Sequence, residues 1–485
     1  MTWNRNRTFS RLMGTLVLLA CLTAVAACSG NNTAKEGTKA SAETKVENKT
    51  IKFIPWNYYP NDTAAEGKKV LKAMSELAAE WEAKHPGAKI EFVKQPADDY
   101  SIWLNAQLIG DTAPDIVLHQ GAAADGVSGL VVSLDPYLEK PNPYMDGNVK
   151  WIDTFYPGPL EILKQNGDGK NYAISPDQVE TAVFYNKEIF EKAGVQPPTT
   201  WAEWIAAGQK IREAGFQPLG FGAGPLSWWG IGLVGDMIMS PTMAEQLDVL
   251  KPDGTIDNEE YARGIRKGIY GPKSPAYRDA WRVYKEWSGI WMDNWLTADA
   301  QNDFNTGKLA MLWTHSGAFP LIKDDPLRQF EFGTFYIPEI TAETSEFAAG
   351  EQPKGVGGPS TPYAITRAAE TRGNVELAVD WLQFITTPEN ASKYINEAGM
   401  FVPGIKNAEP NPELASMMQV LERGRPKVMM HAYILGETDK NVTSNAELFM
   451  LGKLDLDGFM SKIDDLYAKL PDEAAAQNKW DTGKW

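Results

Sequence analysis

The chain is 485 residues long, with a formal charge of -16, two cysteines and four histidines. So acidic a balance argues against a nucleic-acid partner and against adhesion to anionic lipid. The few histidines and cysteines show no clustered spacing, which argues against a zinc site, and neither metal nor cofactor is expected. The length allows a large core, divided into at least two domains. Aromatic content is skewed, with 17 Trp and 17 Tyr. Such an excess belongs to deep cores, to flat apolar binding surfaces, or to both.

In chain order, Arg5, Arg7 and Arg11 precede an almost wholly apolar run, Leu12 to Ala27, that ends Val25-Ala26-Ala27-Cys28. A positive segment, an apolar segment and small residues before a break are the layout of a secretory signal. With cysteine next in line, it resembles a bacterial lipobox. That resemblance implies a signal peptide over 1–27, a lipid on Cys28, and a mature chain tethered to the outer face of the cell membrane. A plain signal peptide and a transmembrane anchor are the alternatives. The run, at roughly 16 residues, falls short of the ~20 that span a bilayer. Cys21 would leave with the signal, so no disulfide could form within the mature chain, and loss of the three arginines makes the remainder about three units more negative. Residues 28–49 are polar and small apart from Val46, which predicts a disordered tether.

Ile51 to Trp56 reads as a first strand. Val70, Leu71, Met74, Leu77, Ala78 and Trp81 recur at helical spacing, and His85-Pro86-Gly87 ends that helix. Lys89 to Val93 alternates as a strand, Ser101 to Ile109 is helical, and Asp115 to Leu118 is a third, buried strand. Strand, helix, strand, helix, strand at this spacing predicts parallel strands with crossover helices. Asn171 to Ile174 and Thr181 to Tyr185 read as strands around the polar stretch Ser175 to Glu180. Lys187 to Ala193 is a short helix closed by Gly194. Thr200 and Glu203 form a capping box for a helix over roughly 201–214. A helix over 276–292, strands at Lys308 to Trp313 and Glu331 to Ile337, and an amphipathic helix at Asn374 to Ile385 follow. Trp281, Trp287, Trp291 and Trp295 are expected in the core. Asp257 reads as a helix N-cap, and Asp455-Leu456-Asp457-Gly458 lacks the spacing of a calcium loop.

Three segments then carry a resemblance. They are Lys170 to Pro176 (KNYAISP), Val183 to Gly194 (VFYNKEIFEKAG) and Pro197 to Glu203 (PPTTWAE). Pro114-Asp115-Ile116-Val117, Leu134 to Leu138, Asp303 to Met311 and Ala378 to Glu389 agree in order. Together they resemble extracellular solute-binding proteins of family 1, the carbohydrate receptors of ABC importers that include maltose-binding protein. The match runs from about residue 51 to 405. It implies an α/β, two-lobe periplasmic-binding-protein-like fold, each lobe a mostly parallel sheet flanked by helices, with a hinge of crossing strands. Crossings are expected near 172–174, 336–338 and 401–404. Lobe one would then be 51–173 plus 338–400, and lobe two 174–337 plus 401–485.

Ligands of open α/β sheets bind beyond the carboxyl ends of strands. That points to Trp56, Asn57 and Tyr58 after the first strand, and to His119 and Gln120 after the third. It also points to Asp177, Gln178 and Glu180 after the hinge strand, and to Trp313 and His315. Where the maltose-binding member carries an acid-and-tyrosine loop, this chain has Pro225 to Trp229, with Trp228 and Trp229 in place of the acid. His119 falls where that member has an aromatic ring. Gly357-Gly358-Pro359-Ser360 lets a backbone approach closely, either lining the cleft at Gly358 or merely turning. Aromatic faces with amides, imidazoles and carboxylates around them suit a sugar's apolar face and hydroxyl rim. The resemblance implies a monomeric receptor, not an enzyme, that captures a carbohydrate, expected to be an oligosaccharide, between two closing lobes and delivers it to permease subunits of an ABC transporter. A sensing module presenting bound sugar to a membrane receptor is an alternative. A glycoside hydrolase is another, but the chain offers no nucleophile motif of the G-x-S-x-G kind.

Overall fold

The computed structural model describes residues 49–485 except 62–68, 97–98, 253, 420, 422–425 and 431–437. Cys28, the signal segment and the tether up to residue 48 lie outside the described residues. In chain order the strands are β1 (Lys49–Phe53), β2 (Ala88–Phe92), β3 (Ile116–Leu118), β4 (Asp177–Val179), β5 (Thr181–Asn186), β6 (Gln217–Phe221), β7 (Leu309–His315), β8 (Phe332–Phe335), β9 (Gly358–Pro359), β10 (Tyr363–Ile365) and β11 (Val402–Pro403). They form three sheets, ordered β10-β3-β1-β2, β11-β4-β9 and β6-β7-β5-β8.

The first sheet pairs β1 in parallel with β2 and β3, as the strand–helix–strand spacing predicts. β10 adds an antiparallel edge. The helices Ala73–Lys84, Val375–Ile385 and Pro388–Ala398 bury Trp81, Trp381 and Tyr394 against it. Asp115 explains why an acid can stand at the start of a buried strand. Its carboxylate accepts from the Lys52 amide at 2.7 Å, the Arg372 guanidinium at 3.0 Å and the Asn374 amide at 3.1 Å. A buried charge held by that many donors ties β1, β3 and the later helices together.

The second large sheet is mixed rather than mostly parallel. β6 runs parallel to β7, but β5 is antiparallel to both β7 and β8. Its core holds the expected tryptophans: Trp281, Trp287 and Trp291 are buried, with Trp201 and Trp204 beside them, and Trp295 is partly buried. Local chemistry sets many helix ends. Asn186 caps Lys187–Ala193, Gly194 closes it at φ 64°, and Thr200 and Asp257 each form a capping box. Asp455 caps the helix Leu456–Asn478, which packs with Thr438–Met450 on this second body.

Two boundaries differ from the expectation. Ile340, Ala348 and Val356 pack in the core of the second sheet, so the chain from 338 to 356 belongs there rather than with the first. Phe401, Ile405 and Ala408 pack in the core of the first, whereas Leu414 and Met417 join Phe184 and Leu312 of the second. The segment Asn171 to Ile174 is not a strand; it makes a single bridge, Ile174 to Tyr363. Among the described residues no helix is long and apolar enough to cross a membrane.

Candidate functional site

The three-stranded sheet is where the chain passes between the two bodies. β4 lies between β11 and β9, pairing Gln178 with Val402 and with Pro359. Strands of two and three residues form few ladder bonds, so side chains supply the rest. The Asp177 carboxylate accepts from Tyr58 Oη, from Thr361 Oγ1 at 2.7 Å, from the Thr361 amide at 2.8 Å and from Ser175 Oγ at 3.1 Å. Burial raises the Asp177 pKa, while these donors oppose the shift. Gln178 Nε2 donates to the Asp177 carbonyl at 2.6 Å. Glu180 joins β4 to the end of β7: its carbonyl accepts from the Ser316 amide at 2.7 Å, and its amide donates to Ser316 Oγ at 3.3 Å. Gly357 is required by close approach, because a Cβ there would fall onto the Val179 carbonyl and 2.5 Å from Glu180 Oε2.

Asp177, Gln178 and Glu180 are therefore fully buried parts of the crossing, and Tyr58 is 2 % exposed against it. None of the four presents a surface to a ligand. Gly358 pairs with Val179 inside the same small sheet. Polar residues between apolar strands suggested ligand contact; the structure uses them to hold the crossing together.

Around this crossing the carboxyl ends of the long strands converge. On the first body, Trp56 follows β1 in a left-handed conformation, φ 56°, that side chains rarely adopt. Strain of this kind persists where the surroundings impose it, and it marks candidate ligand sites. Its half-buried ring meets Tyr100 edge-on at 4.8 Å, and Trp103 continues the aromatic row at 5.7 Å. Tyr100 donates to the Leu118 carbonyl at 2.8 Å, which fixes the row beside the end of β3. Tyr100 and Trp103 were not singled out from sequence. The available signal was an i, i+3 aromatic pair directly after the N-cap Asp99. Asn57 sits half-buried in the turn after Trp56. His119 is 8 % exposed and bound to Asp125 at 2.7 Å. Burial lowers its pKa and Asp125 opposes that, and the Asp125 contact holds the imidazole in place. Gln120 is exposed, and its amide reaches the Pro359 carbonyl of the crossing at 3.3 Å.

On the second body, the helix Trp228–Leu247 opens at the same end of the sheet. The side chain of Trp228 lies outside the described residues. Trp229 is partly buried and meets His315, the last residue of β7, edge-on at 5.2 Å and 82°. Burial lowers the His315 pKa, and its Nδ1 has no partner among the described residues. Trp313 is 4 % exposed and packs edge-on against Phe221 at 5.8 Å and Trp287 at 6.1 Å. It is a core residue whose ring also backs a small recess bounded by Thr181, Ser227, Trp229 and Thr314. Contacts with the crossing place the two walls together. Tyr58 reaches Asp177, Gln120 reaches Pro359, and Ser316 reaches Glu180. Among the described residues no group of three or more His, Cys, Asp or Glu could hold a metal ion.

Residues 64–392 match the family model described as bacterial extracellular solute-binding protein. The chain belongs to that family. A binding protein of Brucella abortus (strain 2308) is 25% identical over 400 residues, covering 78% of this chain and 84% of that one. The sn-glycerol-3-phosphate-binding periplasmic protein UgpB of the same strain is 26% identical over 255 residues, covering 50% of this chain and 54% of its own length. Among solved structures, RafE in complex with raffinose superposes with a TM-score of 0.58 at 18% identity, covering 87% of this chain and 99% of that chain. UgpB from Mycobacterium tuberculosis in complex with glycerophosphocholine gives 0.58 at 18% identity, covering 87% and 98%. These likenesses establish the fold: the two large sheets are the lobes of an extracellular solute-binding protein, and the small sheet lies at their junction.

Proposed function

We propose that this solute-binding protein captures a carbohydrate between its lobes and passes it unchanged to the permease of an ABC importer, while a lipid on Cys28 holds it at the outer face of the membrane. The observation that carries this reading is the pair of aromatic walls beside the crossing. Trp56, Tyr100 and Trp103 stand on one lobe, and Trp229 with His315 on the other. Pyranose rings expose an apolar C–H face that aromatic rings cover, and a hydroxyl rim that amides, hydroxyls and imidazoles bind. Gln120, which is exposed, and Ser227, which is half-buried, are of that kind. A ligand touching both walls favours the closed arrangement over the open one, and only that difference in affinity drives closure.

The test is a titration of the mature protein with a panel of oligosaccharides, with glycerophosphocholine included, read by tryptophan fluorescence and followed by chromatography. Saturable change with one sugar and no new product is the expected result. Saturation by glycerophosphocholine alone overturns the carbohydrate reading, and release of shorter sugars overturns the receptor reading. For the anchor, Cys28→Ser in the full-length chain should move the protein from the membrane to the soluble fraction.

A further inference from the structure

The helix Trp228–Leu247 carries Trp229 at its first turn and, two turns further on, a buried acid. Residues 229 and 236 are seven apart, so they lie on one face of the helix, roughly 10 Å apart along its axis. The Asp236 carboxylate is 3 % exposed and accepts, on one oxygen, from the amides of Lys427 at 2.6 Å and Val428 at 2.8 Å. The segment 426–430 is thereby laid across this helix. Three tyrosines complete the grip. The Met429 amide donates to Tyr261 Oη at 2.9 Å, Tyr270 Oη donates to the Met429 carbonyl at 2.6 Å, and Tyr277 Oη donates to the Met430 carbonyl at 3.4 Å. Two glycines make the seat: a Cβ on Gly232 would overlap the Met429 methyl, and one on Gly235 would lie 2.6 Å from Met430 Sδ.

Among the described residues no strand ladder holds this segment, and side chains bind its backbone at Lys427, Val428, Met429 and Met430. A buried acid is a costly way to dock a strap unless the docking matters to something else. We infer that Asp236 is a positioning residue: by binding the 426–430 strap across the helix face it sets the helix rotation, and so the aim of the Trp229 ring at the cleft. The consequence for ligand affinity rests on the proposed reading of Trp229 as a ligand-facing ring. The positioning itself is measurable without ligand, so the two ideas fail separately.

The experiment labels the mature protein with 5-fluorotryptophan and assigns the Trp229 ¹⁹F resonance by its loss in Trp229→Phe. Three variants follow: Asp236→Asn, which keeps an acceptor oxygen; Asp236→Ala, which removes it; and Met429→Ala, which loosens the seat while leaving the helix sequence intact. Amide exchange at Lys427 and Val428 should accelerate on the order of tenfold or more in Asp236→Ala, as expected when a charged acceptor is lost. The Trp229 resonance should shift or broaden in Asp236→Ala and Met429→Ala, stay near the parent position in Asp236→Asn, and do so while the distant Trp381 signal is unmoved. An unmoved Trp229 resonance in Met429→Ala or Asp236→Ala, with strap amides demonstrably exposed, overturns the proposal. So does equal displacement in Asp236→Asn and Asp236→Ala, since a retained acceptor would then rescue nothing. If Asp236→Ala does not fold, the proposal is overturned by an unmoved Trp229 resonance in Met429→Ala with strap amides exposed, or by a Trp229 resonance displaced as far in Asp236→Asn as in Met429→Ala.

Discussion

Replacing Gly357 with alanine tests whether the crossing is as tightly built as its contacts indicate. The new Cβ would fall onto the Val179 carbonyl and stand 2.5 Å from Glu180 Oε2. The Glu180 side chain could swing aside, but the carbonyl is backbone, so β4 and the chain entering β9 must part by on the order of 1 Å. Overpacking of this kind costs ~1–3 kcal/mol, and loss of the Val179 to Gly358 pairing adds about 1 kcal/mol, for roughly 2–4 kcal/mol together. Gly158 is the control. It lies in the helix Pro157–Leu163 with no atom near its missing Cβ, so alanine there should stabilise by up to about 1 kcal/mol. The assay is urea unfolding of both variants against the parent, followed by tryptophan fluorescence and by circular dichroism. Equal midpoints for the two variants would refute the close packing of the crossing.

Three further outcomes are expected. Trp229→Ala should weaken binding of whichever sugar the panel identifies by ~1–3 kcal/mol, measured by calorimetric titration; unchanged affinity would place the ligand elsewhere. Trp56→Asn exchanges a strained aromatic for a residue that tolerates the left-handed conformation, so stability should stay within about 1 kcal/mol while affinity falls; a large stability loss would mean that the ring is core. Burial raises the Asp236 pKa from 3.8 to about 6, against the amides of Val428 and Lys427 and the hydroxyl of Ser240. Below pH 3.8 the carboxyl is protonated folded and unfolded, and its contribution to stability is intact. As pH climbs through 6 the unfolded state alone has gained by ionising, and ~3 kcal/mol is lost. Asp236→Asn should remove that part of the slope between pH 4 and 7, seen by comparing unfolding curves across the range.

Local chemistry was the most legible part of the chain. The capping boxes at Thr200 and Asp257, the Gly194 stop and the parallel strands β1, β2 and β3 follow from contacts between near neighbours or from hydrophobic period. The helix Trp228–Leu247 was not legible. It is apolar on nearly every face, contains Pro241 and carries Gly230, Gly232 and Gly235, so it shows no polar stripe and reads as a loop. Its glycines make sense only once Met429 and Met430, nearly two hundred residues away, are seated on them. The antiparallel pairing of β5 was hidden for the same reason, since its partners β7 and β8 arrive more than a hundred residues later.

The crossing shows how polar residues that read as ligand contacts can also serve a hinge. A ligand cleft and a hinge both call for polar side chains at the ends of apolar strands, the one to meet hydroxyls and the other to satisfy backbone that short strands leave unpaired. Ser175-Pro176-Asp177-Gln178 fits either need. What separates them is the number of donors each acid meets within the protein. Asp177 takes Tyr58, Thr361 and Ser175 around one carboxylate, two of them from distant stretches of chain and one from its own loop, and each oxygen already accepts two donors. Trp56, Tyr100, Gln120 and Trp229 keep exposed surface beside that knot. The residues that grip a ligand should accordingly be those one step outward from the crossing, with the buried acid holding the pivot about which they move.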